Sequence, residues 1–367
     1  MTASCYFLGS QYNGENMKYW NVTLKNMDEY ISGEQPDNLD EFIKLNTNEN
    51  PFPPFDSVLK AINSNLNEGL RRYPNSKAVH LRKIFAEQNG IKPENVFAGN
   101  GSDEIFTLIF RGFIETTGIV AFPYPSYLLY QTLAQGNGIK YEKINLDSEL
   151  KLDLGKFLEK KYSMVIISNP NNPTGTFLEK EKIEEFAGQY KGLLVVDEAY
   201  IDFYGGSVID LIKKFDNIII TRSFSKSYSL AGLRVGLAIA SEDIISGLFK
   251  LKDSYNVDTL ALAGASAALL DTKSFNYNLS MLRNNKEYME EMLNSMGFES
   301  APSKANFIFT RHRDIPAKLL YTKLKEQKIL VRHLSGPIQS DYVRISVGTM
   351  MEIKQLCSAI KTILEEV

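Results

Sequence analysis

The stretch L-L-V-V-D-E-A-Y-I-D-F-Y-G-G-S-V-I-D-L-I-K-K-F-D-N-I-I-I-T-R-S-F-S-K, residues 193–226, decides the fold. It opens on a short apolar run without polar alternation, Leu193–Val196. It then crosses a segment with apolar residues at helical spacing, Val208–Lys214, and reaches a second apolar run, Ile218–Thr221. Continuously apolar strands joined by helical crossovers belong to a parallel sheet buried on both faces. Each run also ends in chemistry: Asp197, Glu198, Ala199 and Tyr200 follow the first, and R-S-F-S-K, ending at Lys226, follows the second.

The same rhythm continues on either side. Further strands are predicted at Val96–Ala98, Ile119–Phe122, Met164–Ser168 and Val235–Ile239, with a helix over Lys180–Gln189. The separations suit βαβ crossovers, which predicts a large α/β domain with a mainly parallel central sheet over residues 59–250. Downstream, helical patterns at 242–271 and 274–296 precede short strands at Asn306–Thr310, Leu330–Arg332 and Val343–Val347, with helices near 315–326 and 350–365. This reads as a smaller α+β domain over 251–367. Pro51, Pro53 and Pro54 make a stiff connector, so residues 28–58 read as an arm joining the small domain or a partner subunit. Residues 1–27, polar and irregular, read as a flexible leader.

Composition excludes several classes of function. With 367 residues, 44% of them apolar and 23% charged, the chain is long enough for two globular domains. Forty-one basic against 44 acidic residues leave no cationic excess to attract nucleic acid. The two cysteines, Cys5 and Cys357, lie at opposite ends of the chain, which fits a reducing, cytoplasmic setting rather than a disulfide framework. His80, His312 and His333 never fall at H-x-x-x-H spacing, so no metal site is expected. The longest uncharged stretch, Thr116–Ile139, is broken by Pro123 and Pro125, so no membrane span is expected.

In an open α/β sheet, ligands bind beyond the carboxyl ends of the strands. The run ending at Ser168 is followed by N-P-N-N-P-T-G (169–175), which brings Asn172 to the crevice shared by Asp197, Tyr200 and Lys226. Val96–Ala98 runs into G-N-G-S-D-E (99–104) and then an apolar helix. The backbone N–H groups of Gly101, Ser102 and Asp103 would thus form an anion site suited to phosphate. A dinucleotide fingerprint does not fit, because Glu104 stands where its third glycine is needed and Ala121 where its ribose-binding acid would be.

A lysine amine, a phosphate cradle and a carboxylate able to face a ring nitrogen are together what pyridoxal 5'-phosphate requires. Lys226 would condense with its aldehyde and Asp197 would keep its pyridine nitrogen protonated. Asn172 and Tyr200 would bond its phenolic oxygen, and Arg234 would hold the phosphate with Ser223 and Ser225. Singly, each motif has an ordinary structural reading, as a solvated lysine, a strand end or a turn. Their order, each after a buried strand, is what points to a site.

The sequence resembles the fold-type I aminotransferases and, within them, the histidinol-phosphate aminotransferases, over about residues 28–365. The resemblance rests on L-N-T-N-E-N-P (45–51), R-Y-P-N (72–75), G-N-G-S-D-E (99–104), P-S-Y-L-L-Y (125–130), N-P-N-N-P-T-G (169–175), V-V-D-E-A-Y (195–200), S-F-S-K-S-Y-S-L-A-G-L-R-V-G (223–236), A-N-F-I-F (305–309) and V-R-I-S-V-G-T (343–349). It implies a homodimer with shared active sites that moves the amino group of L-histidinol phosphate to 2-oxoglutarate, giving glutamate, in histidine biosynthesis. It further implies that Tyr127 stacks on the cofactor ring and that Tyr73 reaches the cofactor phosphate of the neighbouring subunit. Arg344, Arg332, Asn306 and Tyr30 would meet the substrate. Ser126 and Asn75 depart from the family's usual Thr and Asp. An aromatic amino-acid aminotransferase, a threonine-phosphate decarboxylase and a non-catalytic cofactor-binding module remain open alternatives at this point.

Overall fold

The computed structural model describes residues 18–28, 30 and 32–366. Its large sheet has strands β1 (Val96–Asn100), β2 (Ile119–Tyr124), β3 (Lys140–Asn145), β4 (Met164–Ser168), β5 (Leu193–Asp197), β6 (Ile218–Ser223) and β7 (Val235–Ala240). They lie in the order β1-β7-β6-β5-β4-β2-β3. The pairings among β2 to β6 are parallel, with Val196 opposite Ile220 and Ser168 opposite Asp197, while β7 runs antiparallel between β6 and β1. The carboxyl ends of β1, β2, β4, β5 and β6 therefore share one edge with the residue that enters β7, Arg234.

Alternation along the buried strands feeds two cores. Val165, Ile167, Leu194, Val196, Ile218 and Ile220 face one side, and Met164, Ile166, Val195 and Ile219 the other. Each such side chain, taken wholly out of water, contributes roughly 1.5–3 kcal/mol. The covering helices are α1 (Asp56–Asn65), α2 (Val79–Gln88), α3 (Gly101–Gly112), α4 (Leu129–Gly136), α5 (Lys180–Gln189), α6 (Glu242–Leu251) and α7 (Thr259–Leu270). The first face takes α1, α2, α5 and α7; the second takes α3, α4 and α6.

Four points depart from expectation. The helical run over 242–271 divides into α6 and α7, because Asp258 Oδ1 accepts from the Ala261 N–H at 2.8 Å and caps a new helix. Ala261, Ala265, Ala268 and Leu269 of α7 pack into the large-sheet core, so that body reaches to about residue 270 rather than ending at 250. β3 was not foreseen. The segment over Val208–Lys214 is a 3-10 helix, Ile209–Lys213.

The second body comprises α8 (Thr272–Ser295), β8 (Phe298–Ser300), β9 (Phe307–His312), α9 (Ala317–Glu326), β10 (Arg332–His333), β11 (Val343–Ser346) and α10 (Met350–Glu365). Its antiparallel sheet, ordered β10-β11-β9-β8, sets Arg344 opposite both Phe309 and Arg332. The arm joins it by parallel pairing of Ile43–Lys44 with Ile329–Leu330. Residues 1–17 of the expected leader lie outside the described residues; its end carries a helical turn, Val22–Lys25, capped by Asn21. Among the described residues no helix is long and apolar enough to cross a membrane and no group of side chains could hold a metal ion.

Candidate active site

A cavity of about 570 Å³ opens at the carboxyl edge of the large sheet, roofed by the arm and by β10 and β11. Lys226 enters it three residues beyond β6, and its Nζ donates to the Thr47 carbonyl of the arm at 2.9 Å. Burial, reinforced by the positive charge of Arg344, draws its pKa down to about 8, against the pull of Glu49 and Asp103. Near neutral pH a sizeable fraction of this amine is therefore an unprotonated nucleophile.

Asp197 closes β5 and is buried. Its Oδ2 accepts from Tyr130 Oη at 2.6 Å, and its Oδ1 accepts from Thr221 Oγ1 at 2.9 Å and from the Ala199 N–H at 3.2 Å. Burial raises its pKa while these three donors oppose the rise. The Tyr200 ring centroid lies 5.9 Å from Lys226 Nζ, and its hydroxyl accepts from Asn48 Nδ2 at 3.0 Å. Burial pushes the Tyr200 phenol up to about 12. Tyr127 meets Tyr30 edge to face at 6.2 Å and Tyr130 at 5.6 Å.

On the far side, α3 begins at Gly101 with φ of +77°. Ser102, Asp103, Ser223, Ser225 and Arg234 line the cavity there. Arg234 Nη1 donates to Ser225 Oγ at 3.2 Å and Nη2 to Asp103 Oδ2 at 3.1 Å. Arg234 itself takes the left-handed region, φ 52°, a conformation costing about 1–2 kcal/mol in a non-glycine residue. A Cβ on Gly101 would lie 2.6 Å from Arg234 Nη2, and one on Gly236 would lie 2.5 Å from the Ser102 nitrogen. Only glycine lets guanidinium, strand and helix N-terminus close into this cradle of N–H donors.

Opposite the cradle, Arg344 Nη1 donates to Asn172 Oδ1 and Nη2 to the Asn46 carbonyl at 2.7 Å. Its Nε is buried without a partner, and burial draws its pKa down to about 10. A desolvated guanidinium with an unused donor is suited to an incoming anion. Arg332 Nη1 donates to the Ser32 carbonyl at 2.9 Å, and Tyr30 lines the same end of the cavity.

Asn306 does not fall where expected, and the expectation for Tyr73 concerns a partner subunit. Asn306 does not line the cavity; its Nδ2 donates to the Asn48 carbonyl at 3.0 Å, so it supports the arm behind Tyr200. That bond ties the residue just before β9 to the arm, while the next residue, Phe307, has its ring 5.5 Å from the Arg344 guanidinium. Tyr73 is 79% exposed and stacks on Tyr255 at 4.3 Å, away from its own chain's cavity. Conversely, residue reading assigned no role to Tyr130, Thr221, Thr47 or Asn48. Tyr130 carried a usable signal, standing three residues after Tyr127 in P-S-Y-L-L-Y, in the first turn of the helix that follows.

A lysine, a carboxylate and an anion cradle converging at the carboxyl edge of this sheet define a class, and comparison with known proteins gives it a family. The model of aminotransferase class I and II matches residues 40–360, and the chain belongs to that family. It is 40% identical to the histidinol-phosphate aminotransferase of Geotalea daltonii, over 92% of this chain and 97% of that one. Its structure matches that of the histidinol-phosphate aminotransferase of Sinorhizobium meliloti in complex with pyridoxal-5'-phosphate, with TM-score 0.89 and 22% identity over 96% of this chain and 99% of that one. It also matches the histidinol-phosphate aminotransferase of Clostridium acetobutylicum, with TM-score 0.82 and 25% identity over 89% of this chain and 100% of that one.

Proposed function

We propose that this protein is a homodimeric, pyridoxal-phosphate-dependent aminotransferase that moves the amino group of L-histidinol phosphate to 2-oxoglutarate, in the cytoplasm, as a step of histidine biosynthesis. The observation that carries the reading is that one cavity is lined by the Lys226 amine, drawn down to about 8, by buried Asp197 and by the Arg234 cradle. The residues fit the cofactor. Gly101 and Gly236 leave room for the phosphate cradle, and among the described residues Asp197 is an anion with no ion-pair partner. When bound, the cofactor supplies an electron-withdrawing ring that accepts the charge left at the reacting carbon and carries the amino group between donor and acceptor.

The side chains divide the remaining work. Ser102, Ser223, Ser225 and Arg234, with the N–H groups at the start of α3, anchor the phosphate. Tyr127 covers a ring face, Asn172 and Tyr200 hold the phenolic oxygen, and Asp197 keeps the ring nitrogen protonated. With the donor amine in the site, the Lys226 amine would move the proton at the substrate carbon. Arg344 and Arg332, with Tyr30, hold the anionic group of either substrate, since a fork donor suits a phosphoester and a carboxylate alike.

The dimer is supported by apolar side chains exposed on α1, at its end, on the 3-10 turn Glu68–Arg71 and at the end of α7: Leu59, Leu66, Leu70 and Leu270, with exposed Tyr73 two residues beyond that turn. Exposed patches of this kind mark association surfaces. The test is an amino-donor screen with 2-oxoglutarate as acceptor. Glutamate formed from L-histidinol phosphate in preference to other donors supports the reading. Turnover of phenylalanine or tyrosine alone, or carbon dioxide released from threonine phosphate, overturns the substrate. A colourless protein that takes up no pyridoxal phosphate overturns the enzyme.

A further inference from the structure

Tyr130 is wholly buried in α4, packed among Phe106, Phe122 and Tyr127 at ring distances of 5.1, 5.9 and 5.6 Å. A phenylalanine would fill that aromatic pocket equally well. What the hydroxyl adds is a donor 2.6 Å from Asp197 Oδ2. The other two donors to this carboxylate, Thr221 Oγ1 and the Ala199 N–H, both serve Oδ1. Tyr130 is thus the one hydrogen bond on Oδ2 among the described residues, and it comes from a helix, whereas Thr221 lies on β6 and Ala199 in the turn after β5.

We propose that Tyr130 is a positioning residue for the reaction: its O–H holds Asp197 anionic and fixes its carboxylate in the orientation that meets the cofactor's ring nitrogen. A buried carboxylate with no cationic partner drifts toward its neutral form, and hydrogen bonds to the charged form oppose that drift. A charge-assisted O–H···O⁻ bond at this distance is among the stronger ones available. The inference rests on the proposed function only in taking Asp197 as the ring's partner. Tyr130 touches neither cofactor nor substrate and acts through that carboxylate.

The test is Tyr130→Phe, which keeps the ring and removes one donor. The dissociation constant of pyridoxal phosphate from the dimer is measured between pH 5 and 9 for wild type, Tyr130→Phe, Asp197→Asn and the double variant, with thermal midpoints as a folding control. Tyr130→Phe is expected to weaken binding about tenfold and to lower the thermal midpoint of the unloaded protein by only a few degrees. Asp197 becomes easier to protonate without the donor, so the acid limb of the binding profile moves to higher pH. In the Asp197→Asn background the second substitution is expected to add nothing. Unchanged affinity and pH profile in Tyr130→Phe, or an equal loss with and without Asp197, overturns the proposal. If Asp197→Asn itself binds like wild type, the assignment of Asp197 fails and the role of Tyr130 fails with it. A loss in Asp197→Asn with none in Tyr130→Phe overturns the role of Tyr130 alone.

Discussion

Lys226 is held at both ends by the N-terminal arm: its Nζ donates to the Thr47 carbonyl at 2.9 Å, while Asn50 Nδ2 donates to its backbone carbonyl at 3.1 Å. The arm thus fixes the reactive amine from 179 residues away in sequence and shields it from water. Shielding is what lowers its pKa, because the charged form loses most of its hydration.

That amine should give the protein a distinctive pH dependence. The rate of pyridoxal phosphate uptake by the unloaded protein is expected to rise with pH, reach half its maximum at about 8 and level off about a unit above that, where an ordinary lysine would go on gaining reactivity toward 10.5. Stability carries the same signature. Between about 8 and 10.5 the unfolded chain binds the proton that the folded chain has released, so stability rises across that window. Urea melts of wild type and Lys226→Met at pH 7.5 and 10 isolate the effect, which the variant should lack. Lys226→Met should also abolish the Schiff-base absorbance and lower turnover at least about a thousandfold.

Arg344, the proposed anion anchor, has a geometry that a lysine cannot copy. One terminal nitrogen is committed to Asn172 and the other to the Asn46 carbonyl, so the guanidinium is preset before an anion arrives. Arg344→Gln is expected to lower kcat/KM for donor and acceptor alike, each by about a hundredfold. Arg344→Lys should recover little of it, since an ammonium lacks the fork. Steady-state kinetics with both substrates varied checks this, and a loss confined to one substrate would show that the two anions use different anchors.

How much of this was legible in the sequence follows from which side chains face water. Met164–Ser168 was readable to the residue because it is buried on both faces, leaving an unbroken apolar run between turn signals. β3, K-Y-E-K-I-N, was not, because as the edge strand it is half solvated and its lysines and glutamate mask the pattern. α7 was placed with the wrong body because its apolarity, T-L-A-L-A-G-A-S-A-A-L-L, says that it is buried and not against what. In the site, strand-end residues such as Asp197 and Lys226 were legible because topology alone delivers them. Asn306 and Tyr130 were misplaced or unassigned because their partners, Asn48 and Asp197, are distant in sequence and set by packing.

Behind Lys226 lies a charged network that should dominate local stability. Arg222 bridges Glu198, which is fully buried, to Asp202, and Asp202 accepts from Ser227 Oγ at 2.5 Å. The network ties both flanks of Lys226 to the segment that carries Tyr200. Arg222→Ala leaves two acids stranded in a low-dielectric site and is expected to cost about 3–5 kcal/mol in urea denaturation. Ser227→Ala, which spares the charges, should cost about 1 kcal/mol.

Shared active sites can be checked by complementation. Tyr73 faces away from its own chain's cavity and stacks on Tyr255 at the surface, so in the proposed dimer it would serve the cofactor phosphate of the other subunit. Lys226→Ala and Tyr73→Ala homodimers each lack one required group in every site. In a mixed dimer, one site pairs the intact Lys226 of the Tyr73→Ala subunit with the intact Tyr73 of its partner, and is complete. Free exchange gives half mixed dimers with one good site apiece, so activity should rise to about a quarter of wild type. If Tyr73 served its own chain, every site in the mixed dimer would still lack one group, and mixing the variants would restore nothing. Light scattering on the same samples should report a dimer throughout, and Leu66→Asp with Leu70→Asp, which charges the exposed apolar face, should abolish both the dimer and the recovery.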